Sequence, residues 1–291
     1  MEERTFTDAH GVDVFSRWWT VDDPTGAVLI AHGASEHSGR YDRFARALND
    51  AGFTAVAIDH RGHGRTGAST GTGLMGAGGG HAVIDDLHEL RARLGDGPQF
   101  LFGHSMGSMI GLGYLVEHST GLAGAILCGF AADVTDIGAM VPVLQQVADA
   151  GQRDEPAVGL LAAYNEPFEP ARTPYDWLSR DPAEVDLYIA DPLSGDDNPL
   201  TYGFVLDLFE QLVPAPDRLA DIACPVLVIA GDQDSAAAMG AGPTKLAEAL
   251  RAAGVPADLV LYQGARHELL NETNRDDVTA DIVTWLRRTT G

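Results

Sequence analysis

The stretch Gly103-His104-Ser105-Met106-Gly107 decides how this chain is read. It follows a short apolar run, Phe100-Leu101-Phe102, and precedes a helix-like stretch over residues 108–117. A G-x-S-x-G that joins a strand to a helix reads as a nucleophile elbow, a turn so sharp that the serine hydroxyl stands clear of the backbone. The positions two before and two after the serine face crowded backbone, so only small residues fit there and both are glycine. The bare pattern occurs by chance in many chains; its place between a strand and a helix is what gives it weight.

Outward from the elbow, strand-like and helix-like runs alternate. Strands are expected at 5–7 and 12–20 (an antiparallel pair around His10-Gly11), and at 27–31, 53–58, 100–102, 122–127, 226–230 and 259–262. Helical spacing marks 41–51, 81–94, 244–253 and 278–288. This alternation predicts an α/β fold with a mostly parallel sheet of eight strands flanked by helices. Residues 59–80 read as a Gly-rich loop. Between 131 and 216 prolines accumulate and short amphipathic stretches replace strands, the pattern of an inserted helical cap. The expected division is a core of residues 1–130 and 217–291 and a cap of residues 131–216.

The 291 residues, 45% of them hydrophobic, suffice for one large domain with such an insertion. A net charge of −23 disfavours binding to nucleic acid or to an anionic membrane and weakly favours neutral substrates over anionic ones. No apolar run approaches the roughly 20 residues of a membrane span. The first residues carry no basic and then apolar leader pattern, and the two cysteines, Cys128 and Cys224, fall in or beside strand-like runs as expected of buried reduced thiols. The expected location is cytoplasmic.

A serine hydroxyl needs a base within hydrogen-bond reach, and the base needs an orienting carboxylate. In this architecture the carboxylate follows the serine in sequence and the histidine comes last. His267 sits on the connection after the final strand and is the only histidine beyond His118. The carboxylate should follow the strand at 226–230, where Gly231-Asp232-Gln233-Asp234 offers two aspartates. Asp234 has the better spacing; Asp232 is the alternative, otherwise a turn residue. The developing oxyanion needs two N–H donors. Candidates are the amides of Met106, at the helix start, and of Ala34, in the loop His32-Gly33-Ala34. His32 itself reads as structural. The spacing of the ten histidines matches no metal site, no phosphate loop is present, and no cofactor is expected.

Four segments together resemble the monoacylglycerol lipase and lysophospholipase branch of the α/β-hydrolases: residues 32–41 (HGASEHSGRY), 59–66 (DHRGHGRT), the elbow, and 264–272 (GARHELLNE). The resemblance implies an α/β-hydrolase fold and a serine esterase with Ser105 as nucleophile, Asp234 as acid, His267 as base, and Ala34 with Met106 as oxyanion hole. It also implies a lipid or small-molecule ester as substrate, entering an acyl channel under the cap. Three departures stand out: Ser108 where many members have a third glycine, Thr66 in place of serine, and the Gly-rich segment 70–80, where the glycines mean either mobility or a tight turn. Apolar residues expected near the site are Phe130, Met140, Leu144, Phe168, Trp177, Phe204 and Leu208; for any one of them simple core or cap packing is favoured over an acyl contact. The same motifs serve acyltransferases, thioesterases, lactonases and cofactor-free haloperoxidases. A non-catalytic ligand-binding protein on this fold would need a broken triad. Dehalogenases and epoxide hydrolases place an aspartate at the elbow, which Ser105 argues against.

Overall fold

Eight strands form one sheet in the order β1-β2-β4-β3-β5-β6-β7-β8. The computed structural model describes residues 1–290 apart from Val158 and Leu160. β1 (Glu2–Thr7) pairs antiparallel with β2 (Asp13–Trp19), and β2 antiparallel with β4 (Phe53–Ile58). The remaining pairs, through β3 (Gly26–Ala31), β5 (Gln99–His104), β6 (Gly124–Cys128), β7 (Val226–Gly231) and β8 (Ala257–Tyr262), are parallel. This is the eight-stranded, mostly parallel sheet expected from the alternation of elements.

The inner strands read as continuous apolar runs because both faces are covered. Side-chain alternation splits them between two cores. Leu29, Leu101, Ala125, Leu127 and Val228 face the helices α3 (Ala82–Arg91), α4 (Met106–His118) and α8 (Ala241–Ala252). Val28, Ile30, Phe100, Phe102, Ile126 and Ile229 face α1 (Asp42–Asp50) and α9 (Arg275–Thr290). The loop expected over 59–80 contains one short helix, α2 (Gly67–Thr70).

Between β6 and β7 the described residues form no strand. They hold α5 (Val141–Val147), α6 (Pro182–Ala190), α7 (Tyr202–Leu212) and several single turns. Residues 178–195 of this segment are tied to the rest of the chain by polar contacts. Arg180 Nε donates to Glu272 Oε2 at 2.8 Å, Ser179 Oγ to the Asn271 carbonyl at 2.8 Å, and the Gly195 N–H to the Ser35 carbonyl at 3.0 Å.

The Gly-rich stretch has a third purpose, neither mobility nor turn formation alone. A Cβ at Gly73 would lie 2.1 Å from the Pro199 carbonyl oxygen, and one at Gly80 would lie 2.2 Å from that of Asp207. These glycines let the backbone of 199–207 pack directly on the loop; the Thr201 N–H and hydroxyl both donate to the Gly73 carbonyl. The other two departures are small. Thr66 Oγ1 donates to the Asp59 carbonyl and accepts from the Phe15 N–H, and Ser108 Oγ donates to the Ser105 carbonyl at 2.6 Å.

Candidate active site

β5 ends at His104 and α4 begins at Met106, so Ser105 is the whole connection between them. Its backbone sits at φ 52°, ψ −119°, outside the regions open to ordinary L-residues, which costs about 1–3 kcal/mol. The turn is held by packing. A Cβ on Gly103 would lie 2.3 Å from the Gly107 carbonyl oxygen, and one on Gly107 would lie 2.1 Å from that of Ala31. The Ser105 N–H donates to the Cys128 carbonyl at 2.9 Å.

The two loops after β7 and β8 meet. His267 Nδ1 is 2.8 Å from Asp234 Oδ2, both residues being buried. Asp234 Oδ1 accepts from the Ala237 N–H, so its second oxygen is also occupied. Asp232 is elsewhere: its Oδ1 accepts from the Gly264 N–H at 2.7 Å, and it fixes the loop that carries His267 rather than touching the ring. With the Asp234 oxygen accepting at Nδ1, the imidazole proton sits there and Nε2 is left as the acceptor. Burial works against the protonated ring, but the Asp234 carboxylate, with Glu268 and Glu36 beyond it, raises the His267 pKa above the ordinary value. His104 and Trp177 flank the ring, with centroids 4.8 and 4.9 Å away. Burial and the neighbouring His267 push the His104 pKa down to about 4, so it stays neutral near pH 7.

Ser105, His267, Ala34 and Met106 line one cavity of about 570 Å³. No Ser105–His267 hydrogen bond is formed among the described residues; such contacts commonly tighten only when substrate is bound. The Ala34 N–H and Met106 N–H donate to no acceptor among the described residues, whereas the Gly33 N–H is taken by Glu36 Oε1. Two free donors thus stand beside the serine.

Of the apolar candidates, Met140, Trp177 and Leu208 line the cavity. Phe130, Leu144, Phe168 and Phe204 do not. Phe130 belongs to the main core, and Leu144 packs with Val205 and Leu206. Phe168 lies under the Arg266 guanidinium at 4.1 Å, and Phe204 meets the His63 ring at 5.4 Å. In their place the lining takes Met109, Ile137, Tyr164, Leu178, Val205 and Phe209.

The sequence reading also missed a buried charge cluster. Arg40 NH1 contacts Glu36 Oε2 at 2.8 Å, and its two terminal nitrogens contact the two oxygens of Glu268 at 2.5 and 2.8 Å. Glu36 and Arg40 lie four residues apart, a usable signal; the separation of 228 positions between Arg40 and Glu268 hid the other half.

His32 is structural. Its Nε2 accepts from the His60 N–H at 2.9 Å, so Nδ1 carries the proton and donates to the Gly33 carbonyl at 2.7 Å. Rings of His60 and His63 approach it at 4.5 and 5.3 Å, yet among the described residues no cluster has the geometry of a metal site.

Residues 22–274 match the family model described as serine aminopeptidase, S33. The monoacylglycerol lipase of Mycolicibacterium smegmatis is 32% identical, over 98% of this chain and 96% of that protein. The human monoglyceride lipase is 28% identical, over 97% of this chain and 89% of that protein. Among solved structures, a thermostable carboxyl esterase from Bacillus coagulans in complex with glycerol superposes with a TM-score of 0.91 at 31% identity, covering 100% of this chain and 99% of that one.

Proposed function

The chain belongs to the serine aminopeptidase S33 family, in its monoacylglycerol-lipase-like branch, and is a carboxylic-ester hydrolase; from that premise we propose that it cleaves monoacylglycerols through an acyl-enzyme on Ser105. The observation that carries the reading is the buried Asp234–His267 pair opening onto the same apolar cavity as a strained serine.

In this mechanism Ser105 Oγ attacks the ester carbonyl carbon and its proton passes to His267 Nε2. Asp234 holds the tautomer through Nδ1 and stabilises the imidazolium that forms. The carbonyl oxygen becomes an oxyanion and takes the N–H groups of Ala34 and Met106, each donor contributing about 10²–10³ in rate. As the C–O bond to the alcohol breaks, His267 returns the proton to the leaving oxygen. Water, deprotonated by the same nitrogen, then attacks the acyl carbon and frees Ser105 with a carboxylic acid as second product.

Residues 131–216 act as the cap over this site. Met140, Trp177 and Leu208 bring its apolar side chains to the cavity, where they suit a medium or long acyl chain. A lysolipid ester is the neighbouring possibility, and the acidic chain favours the neutral glyceride over a phosphorylated headgroup. Two free, buried thiols, Cys128 and Cys224, support a reducing, cytoplasmic setting. No helix among the described residues is long and apolar enough to cross a membrane.

The test is hydrolysis of a panel of 1-monoacylglycerols, lysophospholipids and 4-nitrophenyl esters of increasing chain length. The expected profile rises toward medium and long chains and prefers the glycerides. A sharp preference for acetate esters would overturn the acyl-channel reading, and a preference for lysophospholipids would overturn the glyceride assignment.

A further inference from the structure

We propose that Arg40 is a positioning residue which locks the oxyanion-hole loop, the histidine loop and the β6–β7 segment into one unit; the inference rests on the triad reading above.

Three contacts converge on this guanidinium. Through Glu36 it reaches the oxyanion loop, because Glu36 Oε1 accepts from the Gly33 N–H at 2.5 Å and from Tyr41 Oη at 2.8 Å. With the Gly33 amide held there, the next amide, that of Ala34, meets no acceptor among the described residues, and Ala34 lines the same cavity as Ser105. Through Glu268, the residue next to His267, Arg40 reaches the histidine loop with a two-pronged contact, and Asn271 Nδ2 supports the same carboxylate at 2.9 Å. The guanidinium also lies 4.8 Å from the ring centre of Tyr188 on α6, whose hydroxyl donates to the Ser35 carbonyl at 3.1 Å. The Glu268 N–H donates to the Leu178 carbonyl, a second tie to the same segment.

A planar, five-donor cation suits this place and an ammonium does not, since it must bridge two carboxylates and lie against an aromatic ring at once. All three side chains are buried, with 10% exposure for Arg40, 4% for Glu36 and 6% for Glu268. Burial opposes ionisation of both glutamates, yet Arg40 holds the pKa of each below the ordinary value. The cluster therefore carries one net negative charge. The groups facing His267 are this cluster, Asp234 and the neutral His104, so the glutamates help to sustain the imidazolium that the reaction creates.

The test is the pH dependence of kcat/KM on 4-nitrophenyl octanoate for the wild type, Glu268→Gln, Glu36→Gln and Arg40→Lys, with fluorophosphonate labelling of Ser105 in parallel. Each glutamine variant removes a negative charge near His267, so its acid limb is expected to move to lower pH by about half to one unit. Arg40→Lys keeps the charge and loses the bridge: its acid limb stays in place while kcat falls about ten- to a hundredfold with KM nearly unchanged. If Glu36→Gln fails to fold, Glu268→Gln, whose carboxylate supports fewer partners, decides the pH arm. Acid limbs unmoved in the glutamine variants, or a wild-type kcat in Arg40→Lys, would overturn the proposal. A wild type whose Ser105 resists the probe would instead overturn the triad reading on which it rests.

Discussion

The two sides of the cavity are built on different principles. The side contributed by the loops after β3, β5, β7 and β8 is fixed by backbone geometry and buried polar contacts: a serine at φ 52°, an aspartate–histidine hydrogen bond of 2.8 Å, and a guanidinium shared between two carboxylates. The side contributed by the β6–β7 segment presents mainly apolar surface, from Ile137, Met140, Trp177, Val205, Leu208 and Phe209, with Asp133, Asp136 and Asp196 among its polar members. Apolar contacts are non-directional and tolerate exchange of shape, whereas hydrogen-bonded charges fail when an atom moves. In the proposed mechanism the first side carries the chemistry and the second the choice of substrate.

Substitutions on the two sides should therefore separate in kind as well as in size. The largest effect is expected from Ser105→Ala, which should lower kcat for ester hydrolysis by about 10⁴-fold or more while the melting temperature holds or rises, since the nucleophile is lost and no core contact is. Next, Asp234→Asn should cost about 10³–10⁴ in kcat by favouring the wrong imidazole tautomer. Its neighbour, Asp232→Asn, should stay within about tenfold of wild type, because an amide oxygen still accepts from the Gly264 N–H. Comparable losses for the two aspartates would break the assignment of the pair.

On the apolar side, Met140→Trp adds bulk at the cavity wall. Its KM for a sixteen-carbon monoacylglycerol should rise about tenfold, an effect of one to two methylene-sized contacts. Its kcat on a four-carbon ester should remain within about twofold. A fall in kcat for both chain lengths would show that this wall also positions the reacting atoms.

The smallest effect is a displacement on the pH axis. In the proposed mechanism His267 acts as a base only when neutral, so its raised pKa should place the acid limb of kcat/KM above the ordinary histidine value of 6.5. Activity should rise with pH through that limb. The same shift is a stability statement with the opposite sense: the pair contributes fully below pH 6.5, and the contribution is lost as pH rises through the folded-state pKa. A limb at or below 6.5 would mean that Asp234 does not bear on the ring in solution.

The same division explains what could be read from the chain. The elbow was legible because a strained serine requires Gly103 and Gly107, and backbone crowding leaves its mark as glycine. Asp234 was favoured over Asp232 by its distance from the end of β7, a local property of one turn. The apolar wall was not legible in this way. Phe204 and Leu208 lie one turn apart on α7, yet Leu208 reaches the cavity and Phe204 ends against His63. Hydrophobicity says that a side chain will be covered and not by what. Phe130, Leu144 and Phe168 were misplaced for the same reason. Arg40 and Glu268 escaped notice because a contact across the fold has no period and no spacing. The glycines at 73 and 80 were visible, but their reason lay in the carbonyls of Pro199 and Asp207, which only the packed structure brings near.

Whether Ser105 is the nucleophile of a single ester-cleaving site is decided by titrating the enzyme with a fluorophosphonate while following monoacylglycerol hydrolysis and mapping the labelled peptide by mass spectrometry. The expected result is one phosphonyl group per chain, attached to Ser105, with activity falling in proportion to labelling and no labelling of Ser105→Ala. Full activity after stoichiometric labelling, or a label on any other residue that abolishes turnover, would contradict it.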